Sequence, residues 1–172
     1  MGPASSRPAS GAGERTRLTA ERLLHAVKIG IAGVVALYAA ELFKLPQAYW
    51  AAISAFVVMG ANMRATVQAS SGRLIGTAIG AVAGAVFVAL WGSHLWSFGL
   101  AATLTALVCA VLRLDQSYRL ACVTVAIVML IHSPESPWKI GLDRFLEVAL
   151  GIVVALLIAA LPPNPVAREK ST

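Results

Sequence analysis

Between Gly72 and Gly84 glycine returns at every fourth position, in the run Gly72-Arg73-Leu74-Ile75-Gly76-Thr77-Ala78-Ile79-Gly80-Ala81-Val82-Ala83-Gly84. Residues four apart share one face of an α-helix, so Gly72, Gly76, Gly80 and Gly84 form a stripe. In water such a helix is penalised by about 1 kcal/mol for each glycine relative to alanine. In lipid the same stripe is a packing surface, because it lets a second helix backbone come close. Arg73 stands at the entrance to this segment. A weaker copy comes later, in Arg144-Phe145-Leu146-Glu147-Val148-Ala149-Leu150-Gly151. The pattern predicts a membrane protein built from two related halves.

Composition supports lipid as the solvent. The chain is 58% hydrophobic and 13% charged, against about 25% charged for soluble domains. Its 172 residues allow six membrane helices with short loops. The net charge of +6 does not indicate nucleic acid, because the basic residues are spread over loops rather than gathered on one face. Cys109 and Cys122 lie in apolar stretches without a CxxC pattern and read as small apolar fillers. The sequence holds no GxSxG, HExxH, P-loop or zinc signature, so no enzyme activity, cofactor or metal is expected.

Residues 1–16 are rich in Ser, Gly, Ala, Pro and Arg and read as a disordered cytoplasmic tail. An amphipathic stretch from Thr16 to Lys28 leads into the first span. The predicted spans run from Ile29 to Leu45, Tyr49 to Met63, Arg73 to Trp91, Leu95 to Leu112, Leu120 to Ile131 and Ile140 to Leu161. The membrane domain thus covers residues 17–162, and residues 163–172 form a second cytoplasmic tail. Pro46 and Pro162-Pro163 stop helices, and Ser136-Pro137 is an N-cap followed by proline at the first helical position. The apolar segments lack period-two alternation, so strands are not expected.

The basic residues set the orientation. With the N-terminus inside, Arg7, Arg15, Arg17, Arg22, Lys28, Arg64, Arg73, Arg113, Arg119, Arg168 and Lys170 are cytoplasmic, and Lys44, Lys139 and Arg144 are outside. The positive-inside rule then places both termini in the cytoplasm. Trp50, Trp91, Trp96 and Trp138 fall at outer span ends, as an aromatic belt does.

Spans two and five align: Ala51 with Ala121, Ile53 with Val123, Ser54 with Thr124, Val57 with Ile127 and Met59 with Met129. One residue of slip then brings Arg73 onto Arg144 and Gly80 onto Gly151. Each unit holds three spans, and an odd number turns the second unit upside down relative to the first. Inverted repeats of this kind are common in secondary transporters. Spans two and five are also the shortest, at matched places, which points to a transport site there.

Tyr49-Trp50, then Arg73-x-x-Gly76-Thr77-x-x-Gly80-x-x-x-Gly84, then Arg144-x-x-Glu147-x-x-x-Gly151 occur in that order. Together they resemble the membrane domain of the fusaric acid resistance protein-like (FUSC) family, which is related to the aromatic acid exporters. The resemblance covers residues 25 to 162. It implies inner-membrane efflux of small organic acids, often aromatic carboxylic acids. Larger members are similar to this chain plus a cytosolic domain. The lone six-span unit is therefore expected to act as a homo-oligomer or with a partner subunit. A non-transporting membrane subunit is the alternative reading.

Ionisable residues at membrane depth cost about 2.5 to 3.5 kcal/mol on insertion scales and mark candidate sites. Glu147 is estimated to lie about 7 Å below the outer boundary, with Arg144 one turn away on the same face. Asp143 and Glu41 sit at similar estimated depth, so Glu41, Asp143, Arg144 and Glu147 are expected to form one half-buried polar cluster. In this reading Glu147 or Glu41 exchanges a proton while Arg144 or Arg73 attracts a small organic anion. Tyr49 and Trp50 either stack an aromatic substrate or belong to the belt. Thr77 bonds to a neighbouring helix, and Gly72, Gly76, Gly80, Gly84 and Gly151 pack helices. His132 and Glu135 lack further partners for a metal.

Overall fold

The structure is a computed structural model that describes residues 10–114, 116–131 and 135–161. The first nine residues, His132 to Pro134 and the tail from Pro162 onward lie outside the described residues. Six α-helices follow one another: α1 (Ser10–Leu42), α2 (Tyr49–Val58), α3 (Met63–Trp91), α4 (Leu95–Val111), α5 (Tyr118–Leu130) and α6 (Pro137–Ala160). No strand occurs among the described residues. α1 is continuous, so it takes in residues 10–16 of the segment read above as a tail.

Two helical stretches, Arg22–Leu42 and Met63–Trp91, are long and apolar enough to cross a membrane by length and composition. α2 and α5 have 10 and 13 residues, hence about 15 and 20 Å of helix against a hydrocarbon core of about 30 Å. α6 has 24 residues, with Lys139, Asp143, Arg144 and Glu147 in its N-terminal half.

The boundary between α2 and α3 differs from the sequence expectation. The second apolar segment was predicted to reach Met63 and the third to begin at Arg73. Instead α2 ends at Val58, and α3 begins ten residues before Arg73, at Met63. The polar segment from Arg64 to Gly72 read as loop, but a cap starts a helix just before it. The Asn62 side chain accepts from the Ala65 N–H at 2.9 Å, and Thr66 Oγ1 accepts from the Gly60 N–H at 3.0 Å. Arg73 is therefore inside a helix rather than at its entrance. Asn62→Ala is expected to cost about 1 kcal/mol, the usual worth of such a cap, and to lower the melting temperature of purified protein without changing its helix content. α6 is capped by Ser136, whose hydroxyl accepts from the Lys139 N–H at 3.3 Å, with Pro137 next to it.

Packing follows small residues. The glycine stripe of α3 faces α5, which explains why no side chain is affordable there. A Cβ on Gly76 would lie 2.6 Å from the Ser117 carbonyl oxygen, and one on Gly80 would lie 2.3 Å from that of Ala121. On the other side of the molecule Gly151 of α6 faces α2, where a Cβ would lie 2.2 Å from the Ala51 oxygen. Ala32, Ala36 and Ala40 of α1 complete a core with Ala51, Ala55 and Val58 of α2 and Ile152 and Ala155 of α6. A second core joins Ala101 of α4 to Val125 and Met129 of α5, with Phe87 of α3 against it. α3 and α6 meet where Gly141 approaches Ala81.

α1 and α4 end alike. Lys44 and Arg113 take left-handed backbone angles, φ 55° and 54°. Behind them the Leu45 N–H bonds the Ala40 oxygen at 3.0 Å and the Leu114 N–H bonds the Cys109 oxygen at 2.9 Å. This is the helix-terminating pattern usually made with glycine. The outer faces of these two helices are strongly apolar: Leu95 is 84% exposed and Val111 80%, and Val34, Tyr38 and Leu42 are exposed as well. Contiguous apolar surface of this kind suits lipid rather than water.

Candidate functional site

Among the described residues three charged side chains are buried: Arg73 of α3 is 7% exposed, Arg144 of α6 is 3% and Glu147 of α6 is 0%. Burial of such groups is costly unless each finds partners, so their surroundings define the site. Glu147 Oε1 accepts from the backbone N–H of Gln47, in the turn between α1 and α2, at 2.8 Å. Glu147 Oε2 lies 3.1 Å from Arg144 Nη2, one turn away on α6. That contact is held by charge rather than by an aligned hydrogen bond. Glu147 Oε2 and the Nε and Nη1 of Arg144 are buried without a hydrogen-bond partner.

The Arg144 guanidinium lies over the Trp50 ring, 5.1 Å from its centroid, where the aromatic face favours a cation. Trp50 in turn donates from Nε1 to Gln47 Oε1 at 3.2 Å, and the Tyr49 hydroxyl donates to the same oxygen at 2.6 Å. Gln47 thus ties the α1–α2 turn to α6 by its backbone and to α2 by its side chain.

Arg73 is held differently. Its Nε donates to Ser54 Oγ at 3.1 Å, and Ser54 donates onward to the Trp50 carbonyl at 2.7 Å. No carboxylate pairs with it among the described residues. Ser70, one turn before Arg73, has a buried hydroxyl without a partner. Trp50, Arg73, Thr77, Thr124, Arg144 and Val148 line one narrow cavity between α2, α3, α5 and α6. Its free volume is about 20 Å³, room for about one water molecule. The charged groups facing the cavity are the two guanidiniums; the carboxylate of Glu147 pairs with Arg144 without lining the cavity itself.

The expected four-residue cluster is not assembled as drawn. Arg144 and Glu147 meet, but Glu41 is exposed. The buried stripe of α1 is Ala32, Ala36 and Ala40, and Glu41 follows Ala40 by about 100° around the helix, which turns it outward. Asp143 is half-buried and makes neither of the two ion pairs seen among the described residues. Tyr49 is exposed and reaches the site only through Gln47, whereas Trp50 lines the cavity. Thr77 is buried beside the cavity. His132 lies outside the described residues, and Glu135 pairs with Lys139 at the start of α6. Cys109 and Cys122 are free thiols. Among the described residues no three His, Cys, Asp or Glu side chains gather as metal ligands do.

Sequence reasoning missed Gln47 and Ser70. Gln47 acts through its backbone N–H, which no residue type advertises. Ser54 and Thr124 were visible as an aligned pair but had no assigned role.

The sequence profile of the family described as fusaric acid resistance protein-like matches residues 34–158. The chain belongs to that family. This is a membrane family with a transport-related function, and the matched region contains every residue of the cavity. The curated proteins and the solved structures gave no match.

Proposed function

We propose that this member of the family exports small organic anions, aromatic acids among them, across the bacterial inner membrane. In this reading the chain crosses the membrane six times with both ends in the cytoplasm, and the cavity at the meeting of two inverted halves is the transport site. The observation that carries the proposal is the pair of buried guanidiniums, Arg73 and Arg144, facing one cavity, with a single buried carboxylate, Glu147, paired to Arg144.

The packing supports the repeat. Gly80 meets Ala121 and Thr124 as Gly151 meets Ala51 and Ser54, at 2.3 and 2.8 Å against 2.2 and 2.8 Å for a hypothetical Cβ. α2 packs on α1 and α6, and α5 packs on α4 and α3. The left-handed ends of α1 and α4 add a third correspondence. The two arginines occupy equivalent places, as alternating access about a central site requires. A cavity with room for about one water admits an organic acid only when α3 and α6 part, so this conformation is a closed one.

Glu147 is the fully buried carboxylate among the described residues. It takes up a proton from outside as the anion leaves. A second copy or a partner subunit completes the assembly, with the apolar faces of α1 and α4 supplying surface for it.

Counterflow of labelled benzoate in vesicles containing the purified protein tests the reading. Benzoate exchange is expected in the wild type, at least tenfold slower exchange in Arg73→Gln, and loss of the response to a proton gradient in Glu147→Gln. Full exchange in Arg73→Gln would sink the anion site.

A further inference from the structure

The two halves of the site are unequal, and the inequality fixes its charge. Arg144 has Glu147 one turn ahead of it on α6, within 3.1 Å. In the sequence register that brings Arg73 onto Arg144 and Gly80 onto Gly151, the place of Glu147 in the first half belongs to Gly76. Gly76 has no room for a carboxylate, because even a Cβ there would lie 2.6 Å from the Ser117 oxygen. Arg73 is left with the neutral hydroxyl of Ser54. The remaining polar groups lining the cavity, Thr77, Thr124 and the Trp50 indole, are neutral too. With Glu147 ionised, the two guanidiniums facing the cavity and the one carboxylate paired to Arg144 therefore sum to plus one.

We infer that this site selects singly charged organic acids over doubly charged ones, and that Glu147 is the residue that sets the preference. The inference rests on the anion site proposed above. A monoanion brings the buried sum to zero. A dianion leaves an excess negative charge in a region of low dielectric, where an unbalanced charge is far more costly than in water. Removing the Glu147 charge raises the sum to plus two, for which the dianion is the balanced guest. Arg144, freed from its carboxylate, then offers donors that are unpartnered even in the wild type.

Benzoate and phthalate share a ring and differ by one carboxylate, so they serve as the probes. Both are titrated calorimetrically at neutral pH into the purified full chain in detergent. The wild type is expected to bind benzoate more tightly than phthalate, and Glu147→Gln to shift the ratio of the two affinities toward phthalate by about tenfold or more. Thr77→Asp places a carboxylate one turn from Arg73 and acts in the opposite sense: phthalate binding falls first and benzoate binding weakens with it. Thr77→Asp serves also if Glu147→Gln does not fold. An unchanged ratio in the folded variants overturns the inference while leaving the anion site in place. Wild-type protein that binds neither acid overturns the site and the inference together.

Discussion

Gly151→Leu is expected to leave no folded protein in the membrane fraction. A Cβ at this position falls 2.2 Å from the Ala51 carbonyl oxygen and 2.8 Å from Ser54 Cβ. The first of these is backbone and cannot rotate away, so α2 must leave α6. Overpacking in a core costs about 1–3 kcal/mol when side chains can adjust, and a backbone clash exceeds that range. The damage spreads beyond the contact, because α2 carries Ser54, the partner of Arg73, and Trp50, the partner of Arg144. Even alanine is expected to be harmful there. Gly30→Ala and Gly99→Ala are the controls: nothing lies within 4 Å of a Cβ at either position, so both are expected to express and elute like the wild type. Size-exclusion profiles and melting curves of detergent extracts make the comparison. A sharp, wild-type-like peak from Gly151→Leu would show that the α2–α6 contact is looser than described.

The second large effect concerns the buried ion pair. Arg144→Leu leaves the Glu147 carboxylate with only the Gln47 N–H as partner, and Glu147→Leu strands a guanidinium. Breaking a buried pair from one side costs about 3–5 kcal/mol, whereas replacing both members with apolar groups is often neutral or stabilising. Each single variant is therefore expected to melt well below the wild type, and the double variant Arg144→Leu/Glu147→Leu to recover most of the loss. The double variant is nevertheless expected to carry no benzoate, because one of the two guanidiniums is gone. Recovery of stability without recovery of exchange separates the functional use of the pair from its folding role. Simple addition of the two single losses would mean that the groups do not interact.

Much of this was legible in the sequence, and the limits have physical causes. The four-residue glycine period survives any uncertainty about helix ends, because it depends only on spacing along one helix. Arg144 and Glu147 were readable as neighbours for the same reason. Arg73 was misplaced because its burial depends on where α3 starts, and that start is set by one side-chain cap at Asn62 within a polar segment resembling a loop. Glu41 was misplaced because depth along a helix says nothing about azimuth; the alanine stripe of α1 holds that information and was not used. The tie from Glu147 to Gln47 is a backbone bond across 100 residues of chain and leaves no trace in composition or period.

Close backbone contacts join helices far apart in the chain: α2 is pinned to α6 through Gly151, and α5 to α3 through Gly76, Gly80 and Gly84. Each of the two short helices is thus held by a segment distant from it in the chain. On the inverted-repeat reading proposed above, the packed pairs α2 with α6 and α3 with α5 each draw one helix from either half, so displacement of one half displaces the other.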